Sequence, residues 1–242
     1  MAKSDEKFYP ERMARVLGVP EAEVRAHLME KPFRDALRAR YFIDFGQIIA
    51  LLPRTGRILD LGVGTAWTSR LLAQCGYEVV GIDISETMIA YAREASQGIL
   101  NLSFHAIDYE QELNLGTFDP TLIYDALHHS DDEAAGIKNV HGALKPGGIF
   151  FTAEPGAGHS QQSYSIEAMQ RFGVTEKDME YTRQREHMLR AGFSAVRQYL
   201  RLTELTTVNV ANDRGVEQRQ HLESLVVNTV DAGSSSIVVA VK

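Results

Sequence analysis

From Arg57 onward, short apolar runs alternate with longer segments whose apolar residues recur every three or four positions. The runs at 58–61, 78–82, 102–106, 120–124 and 149–152 read as buried strands. Between them, helical spacing predicts helices over about 66–75, 86–95 and 131–144, the second opened by Ser85 with Glu86 in its first turn. Gly76 and the Lys145-Pro146-Gly147-Gly148 turn supply stops. Strands alternating with helices predict an α/β protein with a parallel sheet covered on both faces. Upstream, residues 9–52 are helical in character: Pro20, Glu21 and Glu23 mark a helix start. After Pro32, Phe33, Leu37, Tyr41, Phe45, Ile48, Ile49 and Leu52 recur at helical spacing. The organisation expected is therefore a helical N-terminal cap over 1–52 and a main domain over 53–242. Late in the chain, 165–191 reads as mostly helical and 193–200 and 236–241 as strands, whereas 203–235 carries no clear period.

Composition narrows the class. The 242 residues carry 25 Lys+Arg against 32 Asp+Glu, a net charge of −7, which argues against a surface built to grip nucleic acid. At 44% hydrophobic the chain can bury a real core. It has no apolar run of about 18 residues, so no membrane span is expected. The N-terminus turns charged at once, unlike a signal peptide, and Cys75 is the single cysteine. The expectation is a soluble, cytoplasmic protein.

Asp60-Leu61-Gly62-Val63-Gly64-Thr65-Ala66, between a predicted strand and a predicted helix, carries the most information. Glycines there let the backbone approach a ligand closely. A dinucleotide fingerprint would need glycine at Trp67. Asp60 at the head of the turn would repel a pyrophosphate but suits the cationic methionine end of S-adenosylmethionine. Asp83 closes the next strand, 19 residues beyond Gly64, where an acid accepts hydrogen bonds from ribose hydroxyls; NAD enzymes share this feature.

These segments together resemble the class I S-adenosylmethionine-dependent methyltransferases. Residues 60–66 are similar to the family's glycine motif, with Ala66 where a third glycine is more usual, and 81–85 to its second motif. Ala106-Ile107-Asp108 resembles the segment that meets the adenine, and 144–150 the turn into the fifth strand. The resemblance covers about residues 56–155 and implies a doubly wound, mainly parallel, seven-stranded Rossmann-like sheet with a reversed final strand. It implies S-adenosyl-L-methionine as cofactor, held by Asp60, Gly62, Gly64, Asp83, Ile84, Met88, Ile107, Asp108 and Asp125.

Acceptor chemistry should lie past the carboxyl ends of the fourth and fifth strands. His128 and His129 are candidates for a base or an acceptor-orienting group, and Glu154 and His159 sit by a loop of small residues that could fold over substrate. Adjacent histidine side chains rarely point at one ion, so no metal is expected. Arg40, Tyr41 and Asp44 are candidates for a lid facing the cofactor, while Trp67 and Cys75 should pack the first crossover helix. Arg183, Arg185, His187 and Arg190 read as a solvated helix face. The activity expected is methyl transfer to a small molecule or glycan, with oxygen favoured. The alternatives are a catalytically inactive S-adenosylmethionine-binding scaffold and a nicotinamide-dependent oxidoreductase.

Overall fold

The computed structural model describes residues 2–200 and 236–242; the segment 203–235, which the pattern left unassigned, lies outside the described residues. The sheet is built from β1 (Arg57–Leu61), β2 (Glu78–Asp83), β3 (Leu102–Ala106), β4 (Phe118–Tyr124), β5 (Leu144–Glu154), β6 (Ala195–Leu200) and β7 (Ser236–Val241). Its order is β3-β2-β1-β4-β5-β7-β6. β1 to β5 pair in parallel, and β7 runs antiparallel between β5 and β6. The doubly wound, seven-stranded sheet expected above is therefore present, reversed strand included.

The order reverses between β1 and β4, because the chain winds outward to β3, returns, and winds the other way. That switch point leaves a crevice at the strands' carboxyl ends. Both faces are covered. Leu59 and Leu61 pack with Phe118, Ile123, Leu127, Val140 and Phe150 on one face. Ile58 packs with Ile48, Trp67, Leu72, Leu122 and Phe151 on the other. Each such side chain contributes roughly 1.5–3 kcal/mol by leaving water.

The crossover helices α5 (Trp67–Gln74), α6 (Glu86–Ala95) and α7 (Glu133–Ala143) fall within two residues of their expected bounds. Ser85 Oγ accepts the Met88 N–H at 3.3 Å and Asp132 Oδ1 the Ala135 N–H at 3.0 Å, so both predicted helix starts are capped by side chains. Cys75 is exposed at the end of α5, so only Trp67 of the expected pair packs inward. The N-terminal region holds four helices, α1 (Ala2–Lys7), α2 (Tyr9–Leu17), α3 (Glu21–Leu28) and α4 (Arg38–Leu51). The mostly helical 165–191 region resolves into α8 (Ser163–Phe172), an irregular stretch at 173–180, and α9 (Tyr181–Ala191).

Glu133 ties α7 to α9. Its carboxylate accepts from Lys177 Nζ at 2.8 Å and Arg183 Nε at 2.7 Å, and His187 Nε2 lies 3.6 Å away. The expected solvated basic face is thus partly engaged. Burial alone would raise the Glu133 pKa, but Lys177, its own backbone N–H and Arg183 pull it down to about 2. A depressed folded pKa stabilises the fold above the unfolded value and loses that contribution as pH falls through the folded one. Glu133→Gln should therefore melt below the parent at pH 7, with the gap closing between about pH 4.5 and pH 2 in thermal melts.

Candidate active site

The glycine turn follows from what β1 runs into. The N–H groups of Gly62 and Val63 both donate to Ile82 O, at 2.8 and 3.1 Å, folding the chain back over the end of β2. Gly62, Gly64 and Ala66 all lie in the left-handed region, with φ of 68°, 53° and 62°. A Cβ on Gly62 would stand 2.4 Å from Ala126 Cβ, whereas nothing lies within 4 Å of the position a Cβ on Gly64 would take. The first glycine is thus required by packing, and the second leaves backbone open to the cavity. Gly62→Ala should lower stability by about 2 kcal/mol, combining left-handed strain with a clash, as denaturant titration would show.

Asp83 is the hinge of this cradle. Its Oδ2 accepts the Gly64 N–H and its Oδ1 the Ser85 N–H, each at 2.9 Å. Burial pushes its pKa up, and these two backbone bonds hold it back. Asp83 lines a cavity of about 380 Å³ together with Gly62, Gly64, Ile84, Met88, Asp108 and Asp125. That volume lies in the roughly 300–1,000 Å³ range of small-molecule and cofactor sites. Asp125 has φ of 53°, and its N–H donates to Ala153 O at 2.9 Å, fixing it at the end of β4 in an uncommon backbone conformation.

Two expected cofactor residues lie elsewhere. Asp60 is buried beneath α5, where its Oδ2 accepts from Thr68 Oγ1 at 2.7 Å and Ser69 Oγ at 2.6 Å. Burial raises its pKa to about 6 against those two bonds. It is not among the cavity-lining residues. Ile107 turns toward the core of the opposite face, and Asp108 beside it takes the cavity position. The electrostatic argument survives on other residues. Glu6, Asp83, Asp108, Glu110, Asp125 and Glu176 line the cavity with two lysines, Lys3 and Lys31. A wall so rich in carboxylates repels a pyrophosphate and attracts a cation.

Arg40, Tyr41 and Asp44, the candidates for a lid, do not line the cavity. Tyr41 and Asp44 belong to the buried layer under α4; Asp44 Oδ2 accepts the Tyr124 hydroxyl at 2.6 Å, with Arg40 3.7 Å away. The cavity is instead covered by Lys3, Glu6, Tyr9 and Met13 from α1 and α2, and by His27, Leu28 and Lys31. Lys3 Nζ pairs with Asp108 at 2.6 Å and Glu110 at 2.9 Å, and Glu6 Oε1 accepts the Thr175 N–H at 2.9 Å. Positions 3, 6, 9 and 13 form a helical stripe. Its mixed polarity hides it from a search for apolar periodicity, and that spacing was the available signal.

The four residues assigned to acceptor chemistry separate. Glu154 is fully buried at the end of β5 and does not line the cavity. Its Oε1 accepts the N–H groups of Ala126 and Leu127 at 3.1 and 2.9 Å; its Oε2 accepts that of His128 at 3.3 Å and lies 2.7 Å from His128 Nδ1. It is an anchor for the 126–128 turn, not a group that meets substrate. His128 is buried behind the cavity wall. His159 is likewise held away from it, with Nε2 2.6 Å from Glu176 Oε2 and Nδ1 3.1 Å from Tyr164 Oη. His129 alone reaches the cavity, its Nδ1 2.6 Å from Thr175 O and 3.4 Å from Glu6 Oε1. Burial alone would lower its pKa, but Glu6, Glu176 and the Thr175 carbonyl raise it to about 10. These partners favour the protonated ring, which suits orienting or donating to a bound group. Glu6, Tyr9 and Glu176, which the sequence reading did not select, complete this wall.

A backbone cradle at Gly64, an acid at the end of β2, an apolar Ile84 and Met88 beside it and a further acid at Asp108 fit the nucleoside of S-adenosylmethionine. The switch-point fold with this site is similar to that of the class I S-adenosylmethionine-dependent methyltransferases. Residues 59–152 match the family model of the methyltransferase domain. The chain is 30% identical over 154 residues to the ubiquinone biosynthesis O-methyltransferase of Paramagnetospirillum magneticum, covering 60% of this chain and 62% of that one. It is 35% identical over 123 residues to the protein of the same name from Mesorhizobium japonicum, covering 50% and 48%. The chain spans between 44% and 62% of the length of the curated relatives it first matches. In fold it is similar to an S-adenosylmethionine-dependent methyltransferase from Mesorhizobium loti, with a TM-score of 0.62, 23% identity and coverage of 83% of this chain and 98% of that one. Among the described residues, no helix is long and apolar enough to cross a membrane.

Proposed function

We propose that this chain transfers the methyl group of S-adenosylmethionine to an oxygen of a small-molecule acceptor bound in the same cavity. The observation that carries the reading is one cavity lined by two chemically different sets of residues. Gly64, Asp83, Met88 and Asp108 suit a nucleoside, and Glu6, Tyr9, His129 and Glu176 offer polar groups to an acceptor. Methyl transfer needs the acceptor held in line with the sulfur–carbon bond, so positioning supplies much of the acceleration. A hydroxyl acceptor suits a wall that offers both a proton-holding imidazole and carboxylates to accept its hydrogen bond. The O-methyltransferase names of the two relatives above support oxygen, and a cavity of about 380 Å³ supports a small molecule over a glycan.

The test is incubation with methyl-labelled S-adenosylmethionine and paired hydroxyl and amine acceptors of matched ring size, read by mass spectrometry. Label on the hydroxyl compounds is expected. Label confined to amines would replace the oxygen assignment, and cofactor binding without any labelled product would favour the inactive scaffold.

A further inference from the structure

We propose that His128, His129 and Glu176 form a binding site for a divalent transition metal at the wall of the cavity. The rings of these neighbouring histidines converge. Leu127–His129 is a single tight 3-10 turn, and the rings of His128 and His129 lie with centroids 3.9 Å apart. One ligand atom from each of His128, His129 and Glu176 lies within 4.8 Å of the other two. His128 Nε2 stands 3.6 Å from Glu176 Oε2. Two ligands each about 2.0 Å from a tetrahedral zinc stand about 3.3 Å apart, so the gap is close to that of a coordination sphere.

The groups behind the three side chains make the stronger case. Ligating histidines characteristically give their other ring nitrogen to a carboxylate or a carbonyl, which fixes the ring. His128 Nδ1 meets Glu154 at 2.7 Å, His129 Nδ1 meets Thr175 O at 2.6 Å, and Glu176 Oε2 is held by His159 Nε2 at 2.6 Å. Each candidate ligand is thus oriented by a further group. Two imidazoles and one carboxylate form a borderline donor set that suits zinc or iron(II) better than calcium or magnesium, and three protein ligands leave a position open. His129 and Glu176 line the cavity, so the open position faces it. There, resting on the function proposed above, the ion would hold an acceptor hydroxyl.

The test uses the whole chain, stripped with chelator and titrated with Co²⁺ in the absence of cofactor and acceptor. One equivalent should bind with visible d–d absorption, and Zn²⁺ should displace it. His129→Asn and Glu176→Gln should each weaken Co²⁺ binding at least tenfold, while His105→Asn, on an exposed strand position, should leave it unchanged. Circular dichroism on each variant separates lost binding from lost fold. No stoichiometric Co²⁺ uptake by the folded parent, or uptake that His129→Asn and Glu176→Gln leave intact, would overturn the proposal. Co²⁺ binding without methyl transfer would leave the metal site standing and count against the methyltransferase activity alone.

Discussion

Glu154→Ala is expected to remove much of the stability of the fold. The carboxylate is fully buried and accepts three backbone N–H groups, those of Ala126, Leu127 and His128. A buried donor left without a partner costs about 1–3 kcal/mol, so three cost roughly 3–9 kcal/mol. A whole domain is stable by only about 5–15 kcal/mol. For a chain of this length each 1 kcal/mol shifts Tm by about 2–4 °C, so a fall of at least roughly 6 °C is expected. Glu154→Gln retains one acceptor oxygen and should fall between parent and alanine variant. Calorimetric melting of the three proteins checks this. A Tm for Glu154→Ala within 2 °C or so of the parent would show that the 126–128 turn does not depend on the carboxylate.

Asp83→Ala should weaken S-adenosylmethionine by about tenfold to a hundredfold. The lost hydrogen bonds involve a charged acceptor and are worth about 1.5–3 kcal/mol. A second effect adds to this: Gly64 loses the acceptor of its N–H, so the cradle itself loosens. Asp60 offers the contrast. Its carboxylate faces Thr68 and Ser69 rather than the cavity, so Asp60→Asn should leave cofactor affinity within about twofold and act on stability alone. Titration calorimetry on both variants distinguishes the two acids. Equal losses of affinity would mean that Asp60 reaches the ligand after all.

The parallel sheet was legible because strands buried on both faces read as short apolar runs, and the helices between them carry caps that the sequence displays. The cradle was legible because backbone that must turn left-handed against Ala126 needs glycine, and an acid must follow at the end of the next strand. Asp60 was misplaced for a reason the strand itself contains. Side chains alternate along β1, so Asp60 shares the face of Ile58 and points under α5, while Leu59 and Leu61 point the other way. Glu154 was misread because a carboxylate looks the same in sequence whether it meets a substrate or three backbone donors. Glu176 lies in the irregular stretch between α8 and α9, where no period marks a side chain as inward-facing. The pairing of His128 with His129 depends on a one-turn 3-10 segment, and side-chain spacing in so short an element cannot be read from composition.

The most direct measurement is a crystal structure of the chain grown with S-adenosylhomocysteine, the demethylated product of the cofactor. The account predicts density in the cavity beneath α1 and α2, with both ribose hydroxyls within hydrogen-bond distance of the Asp83 carboxylate and the adenine between Met88 and Asp108. A ligand bound elsewhere, or one in the cavity that leaves Asp83 untouched, would contradict it.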